Sequence, residues 1–84
     1  MEPVPESVVA HFSSLAPLPD DQKNVVELIA YLIENPYSGT PIPFAREEYK
    51  DCYVALTPDG KWRVVYRPVE PKGIHVLSID PEES

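Results

Sequence analysis

The order of local signals along the chain predicts an α+β domain, in which an N-terminal helical hairpin packs on one face of a small antiparallel β-sheet. Three observations carry this. Apolar residues recur at helical spacing over the first 35 positions. They alternate at strand spacing from Lys61 to Val69. Between and after these segments, prolines and one Asp-Gly pair mark the turns. Helices first and strands afterwards is the α+β pattern, because a parallel βαβ sheet would interleave them. The 84 residues allow one domain, whose expected parts are an extended lead (1–5), two helices (6–35), a loop (36–45), the sheet (46–79) and an acidic tail (80–84).

Pro3 and Pro5 keep the lead extended. From Glu6 to Leu15 the residues Val8, Val9 and Phe12 fall on one helical face, and Pro17 and Pro19 forbid continuation. Asp20 or Asp21 is a suitable N-cap for the second helix, where acids also complement the helix dipole. Val25, Leu28, Ile29 and Leu32 form its apolar stripe, which Val26 and Ile33 widen. Asn35-Pro36 ends it, since a residue before proline avoids the helical region. The segment Tyr37–Phe44, with Gly39 and two prolines, reads as a loop.

Three strands follow. Tyr49–Thr57 is rich in aromatic and β-prone residues, and Pro58-Asp59-Gly60 turns the chain. Lys61–Val69 places Trp62, Val64 and Tyr66 on one face and Arg63, Val65 and Arg67 on the other. Pro71–Gly73 makes a second turn, and Ile74–Ile79 is the last strand.

Composition excludes several function classes. The lone Cys52 cannot form an internal disulfide or a cysteine-based zinc site. The N-terminus lacks a basic start and a long apolar run, and Val25–Ile33 is far short of a membrane span. The expectation is therefore a cytoplasmic protein with no membrane partner and no cofactor. The net charge of −7 argues against a generic nucleic-acid binder, which needs a positive surface. That charge is unevenly divided. The stretch from Arg46 to Lys72 carries six cations against five acids, and all the rest carries −8.

Within the basic stretch, Arg63 and Arg67 suit phosphate, which arginine grips in a bidentate fork. They equally suit a solvated sheet face that pairs with the acids of the helices. Trp62 and Tyr66 are able to stack a base, but sharing a face with Val64 makes them core residues. His75 beside Arg63 would define a small acid–base enzyme of another class; the alternative is a sheet histidine with satisfied hydrogen bonds. His11 has no partners at metal-ligand spacing. Cys52 reads as a small buried hydrophobe, although Lys50 nearby would activate a thiolate. The acid pairs Asp20-Asp21 and Glu47-Glu48 are sequence neighbours and do not converge on one site.

Four pieces in order resemble the RelE/ParE toxin superfamily: Ile33-Glu34-Asn35-Pro36-Tyr37-Ser38-Gly39, Asp51-Cys52-Tyr53, Trp62-Arg63-Val64-Val65-Tyr66-Arg67 and Val76-Leu77-Ser78-Ile79. The resemblance covers residues 20–79. It implies the toxin half of a bacterial toxin–antitoxin pair, bound and neutralised by an antitoxin protein. RelE-like members cut mRNA on the ribosome and ParE-like members poison DNA gyrase. The resemblance assigns only Arg63, as the catalytic strand arginine; Lys61, Arg67 and Lys50 are the expected substrate-binding cations around it. RNA cleavage by the 2′-hydroxyl needs a base, an acid and cations on the charged phosphate. Here the preceding strand offers the uncharged Val54, Ala55 and Leu56, and the tail Asp80-Pro81-Glu82-Glu83 is acidic where the family places a basic or tyrosine residue. This departure motivates the alternative reading, a catalytically inactive interaction module of the same fold. The family also begins with a strand that Met1–Pro5 is too short to supply, so an open sheet edge is expected.

Overall fold

A computed structural model describes residues 4–42, 50–70 and 73–82. The parts expected over 1–3, 43–49, 71–72 and 83–84, including the first two residues of the Pro71–Gly73 turn and the start of the first long strand, lie outside the described residues. Two helices, α1 (Glu6–Ser14) and α2 (Pro19–Glu34), precede four strands: β1 (Thr40–Pro41), β2 (Tyr53–Leu56), β3 (Trp62–Pro68) and β4 (Ile74–Pro81). The strands form one antiparallel sheet in the order β1-β2-β3-β4, a meander with the helices on one face. The fold is thus the α+β arrangement with N-terminal helices that the sequence order implies. None of the helices among the described residues is long and apolar enough to cross a membrane.

The N-cap of α2 differs from expectation. The helix begins at Pro19, a residue whose missing N–H costs nothing in a first turn. Neither Asp20 nor Asp21 is the cap. Asp21 lies one turn inside, and its Oδ2 reaches back to accept the Leu18 N–H at 3.2 Å, the half of a capping box that neutralises a stray donor. At the other end of α1, Ala16 takes the left-handed conformation (φ 53°) that helix ends usually reserve for glycine. Its N–H caps the helix on the Ser13 carbonyl at 3.1 Å. Ala16→Gly is therefore expected to stabilise the domain by about 0.5–1 kcal/mol, read as a higher urea midpoint at unchanged slope.

The sheet has four strands rather than three. Thr40–Pro41, within the expected loop, pairs with Val54 and Tyr53. Two residues, one of them proline, leave no periodic trace. Among the described residues no strand precedes α1, and β1 occupies the edge beside β2. β4 also runs two residues beyond Ile79 into the expected tail. Pro81 is tolerated there because the neighbouring pair, Glu82 N–H to Lys61 O at 2.8 Å, puts the position lacking an N–H on the free edge.

A bulge sets the phase of β4. The register passes from Val65↔Ser78 to Tyr66↔Val76, so Leu77 has no partner. The extra residue lets Ile74, Val76 and Ile79 all face inward, which strict alternation forbids. With Trp62, Val64 and Tyr66 of β3 they meet Val8 of α1 and Val25 and Leu32 of α2 in one core. Phe12 closes on Trp62 edge-to-face at 5.0 Å, and Tyr66 stacks on Tyr53 at 5.9 Å. Trp62 and Tyr66 are therefore core residues. Val9 and Val26 depart from the expected helix faces: they are 47% and 64% exposed.

The β2–β3 turn is fixed by side chains. Asp59 Oδ1 accepts the Thr57 hydroxyl at 2.6 Å and the Lys61 N–H at 3.1 Å, while Thr57 Oγ1 accepts the Trp62 N–H at 3.1 Å. Asn24 of α2 donates to Asp59 Oδ2 at 3.2 Å and ties the turn to the helix. Gly60 adopts the positive φ (74°) that the turn requires. These donors, the Thr57 hydroxyl first and the Lys61 N–H next, hold the Asp59 carboxyl below its ordinary value of 3.8. A depressed folded-state pKa means the unfolded chain binds the proton more readily. The stabilisation is then present above the ordinary carboxylate range and fades as the pH falls through the folded-state pKa. Asp59→Asn should accordingly be less stable than the parent at neutral pH, with the gap narrowing in acid, as measured by denaturant titrations across pH.

Candidate functional site: the outer face of the sheet

The face of the sheet turned away from the helices holds the residues the sequence marks as functional. Alternation along β3 sends Arg63, Val65 and Arg67 there, opposite the buried Trp62, Val64 and Tyr66. The register brings Val54 and Leu56 from β2 and Asp80, Ser78 and His75 from β4 alongside them. A hollow of about 370 Å³ lies on this face, lined by Ile42, Val54 and Val65 with Arg63, Ser78 and Asp80 at its polar side. Its floor is apolar, and its charged end combines a guanidinium and a carboxylate.

Arg63 sits directly across from Asp80, and its Nη1 lies 3.6 Å from Glu82 Oε2. Asp80 in turn receives His11 Nε2 of α1 at 3.0 Å, which links the first helix to the last strand. The Arg63–Glu82 ion pair and the His11–Asp80 contact are both substantially exposed and contribute little to stability. Their electrostatic effect is local: two carboxylates flank the one arginine that the resemblance makes catalytic. A phosphate approaching Arg63 would meet like charges at close range.

The four expected cations do not converge. Arg63 and Lys61 stand at one end of β3, where the Lys61 side chain is exposed and its backbone is engaged by Asp59 and Glu82. Arg67 stands four residues further, roughly 13 Å along the strand. There its Nη2 donates to Cys52 Sγ at 3.8 Å, and the Cys52 thiol donates to the Lys50 carbonyl at 3.7 Å. Lys50 therefore belongs to the Arg67 end, through its backbone. Cys52 is 2% exposed and fills space at that end. His75 faces Arg67 across the β3–β4 ladder, which leaves it also roughly 13 Å from Arg63. That separation removes the acid–base pair of His75 with Arg63. Among the described residues no group of three or more His, Cys, Asp or Glu side chains could hold a metal ion.

Asp80 and Glu82 are the site residues that sequence reasoning placed in a tail. The signal that finds them is the continuation of β4: once Ile79 pairs with Val64, antiparallel register puts residue 80 opposite residue 63 and residue 82 opposite residue 61.

A second polar feature supports the sheet from within. The Tyr66 hydroxyl accepts the Gly39 N–H at 3.0 Å. Burial pushes the Tyr66 phenol up, partly offset by that hydrogen bond. Tyr53 lies between Tyr66 and Tyr37, whose hydroxyl donates to Glu70 at 3.0 Å. The Glu70 hydrogen bond and charge raise the Tyr37 phenol. This aromatic row holds the loop after α2 against the sheet.

No protein-family profile, no curated protein and no solved structure matches the chain. What can be said of its class comes from its own architecture: two helices on an antiparallel meander whose outer face carries a neutralised arginine beside an apolar hollow.

Proposed function

We propose that the chain is a RelE/ParE-like toxin or toxin homologue of a bacterial toxin–antitoxin pair, and that it acts by binding a macromolecular target rather than by cutting RNA. The arrangement of two helices before an antiparallel sheet agrees with what the resemblance implies. The observation that carries the binding reading is the setting of Arg63, opposite Asp80 and 3.6 Å from Glu82. An mRNA-cleaving site needs positive charge around the scissile phosphate. Here the Asp80 and Glu82 carboxylates beside Arg63 oppose it. A hollow with an apolar floor suits the side chains of a protein partner. DNA gyrase and a ribosomal component are both targets of that kind, and an antitoxin is the natural neutralising partner.

Inducing the protein alone in bacteria tests this. Growth should stop, and co-expression of the protein encoded by the adjacent gene should restore it. A DNA-damage response during arrest points to gyrase; halted translation points to the ribosome. Unimpeded growth together with no complex between the two proteins overturns the proposal.

A further inference from the structure

A small hollow of about 190 Å³ lies where the chain leaves α2, lined by Tyr37, Asp51, Tyr53 and Pro68. Tyr53 stands across the ladder from Tyr66, and alternation along β3 puts Pro68 on the same inner face. The hollow is separate from the outer face of the sheet and does not depend on what Arg63 does. Its two rings are not stacked on each other. Their planes meet at 81° with centroids 5.7 Å apart, so they form two walls of a corner. Tyr37 is 62% exposed, a poor position for a ring that only fills space. It is nevertheless held. Its hydroxyl donates to Glu70 at 3.0 Å, and its ring meets Tyr53, which in turn stacks on the buried Tyr66. An exposed aromatic side chain already fixed in place loses little freedom when a ligand arrives.

The lining selects the charge of the occupant. The face of an aromatic ring is negative and attracts a cation. Asp51 adds a full negative charge in the hollow, and Glu70 adds another behind the Tyr37 hydroxyl. Among the described residues, no cation lines the hollow, and no hydrogen bond or ion pair engages the Asp51 carboxylate. Anions would be repelled. A nucleic-acid base needs one open ring face on which to stack, whereas two rings near a right angle enclose a rounded head group. A bare ammonium is strongly hydrated and would give up that water to a largely aromatic wall; one capped by methyl groups would not. The volume is below that of pockets that enclose a drug-sized ligand, and suits a head group alone. We infer that this hollow binds the trimethylammonium class of organic cation, with Tyr37 and Tyr53 as its aromatic walls and Asp51 as the counter-charge. Such a head group is carried by free small molecules and by methylated lysine side chains of proteins.

An NMR titration of the full chain with choline tests the inference, alongside 3,3-dimethylbutanol, which has the same shape without the charge. Choline should shift the ring signals of Tyr37 and Tyr53 and the amide of Asp51, with a Kd on the order of 1–10 mM. The neutral isostere should bind at least about tenfold more weakly. Tyr37→Leu removes one wall at an exposed position, and Asp51→Asn removes the charge while tolerating the left-handed φ of 63° at that residue. Both variants should keep the thermal midpoint within a few degrees, and each should weaken choline binding by about threefold or more. A short peptide bearing trimethyllysine separates the two sources. Binding about tenfold or more tighter than choline identifies a protein side chain, and equal or weaker binding identifies a free small molecule. Three results would overturn the inference: no saturable shift at Tyr37 and Tyr53, equal binding of the neutral isostere, or unchanged choline affinity in both folded variants.

Discussion

Tyr66→Ala is expected to destabilise the domain by about 3–5 kcal/mol, the cost of deleting a fully buried aromatic ring. A domain of this size has roughly 4–13 kcal/mol in total, so the variant should be partly or wholly unfolded at 37 °C. The size of the effect follows from position. Tyr66 is 0% exposed at the centre of β3, stacks on Tyr53, and its hydroxyl is the acceptor for the Gly39 N–H. Tyr66→Phe separates these contributions. It keeps the ring and leaves the Gly39 donor without its partner, at a cost of about 1–3 kcal/mol. Urea unfolding of the three proteins should rank parent, Phe and Ala in that order. A Phe variant as unstable as the Ala variant would mean that the hydrogen bond, and not the ring, holds the centre of the sheet.

Gly39→Ala is the second large effect, expected to cost about 1–3 kcal/mol and to lower Tm by roughly 5–15 °C. A Cβ at residue 39 would overlap the Tyr66 hydroxyl and stand 2.9 Å from the Val54 carbonyl oxygen. Neither neighbour yields easily: one side chain is buried and the other group belongs to the β1–β2 ladder. Glycine is required here for close approach, not for an unusual backbone angle. The same geometry predicts non-additivity. In the Gly39→Ala/Tyr66→Phe double variant the nearest overlapping atom is gone, so its loss of stability should be smaller than the sum of the single losses. A strictly additive cycle would show that the β1 loop does not lean on Tyr66.

These two positions show where sequence reading succeeds and where it stops. The alternation of Trp62, Val64 and Tyr66 identified the inner face of β3, because period two is a property of the strand alone. The Val25–Leu32 stripe and the Asp59-Gly60 turn were legible for the same reason: each is a local pattern with a local physical cause. The β1 pairing of Thr40 and Pro41 was not, since it rests on Gly39 meeting Tyr66 across 27 positions of sequence. The Leu77 bulge was hidden too. Ile74-His75-Val76-Leu77-Ser78-Ile79 fits a strand in any phase, and only the partner strand reveals the unpaired residue. Helical periodicity placed Val9 and Val26 on apolar faces but carries no information about how wide a stripe the sheet covers. In the candidate site, Arg63 was visible as an outward arginine on β3. Its neutralisation was invisible because Asp80 and Glu82 looked like a tail until β4 was seen to run beside β3.

That neutralisation is the centre of the functional proposal, and one measurement tests it most directly: the length of cellular mRNA in bacteria arrested by the parent chain, beside cells expressing Arg63→Ala. Arg63 is exposed and its ion pair is worth little, so the variant should fold and accumulate like the parent. If the protein acts by binding and Arg63 performs no chemistry, growth should arrest with the parent while messages stay full-length in both strains. Cleaved mRNA with the parent and intact mRNA in the equally abundant Arg63→Ala strain would contradict it, and would restore Arg63 as a catalytic residue of an RNA-cleaving toxin.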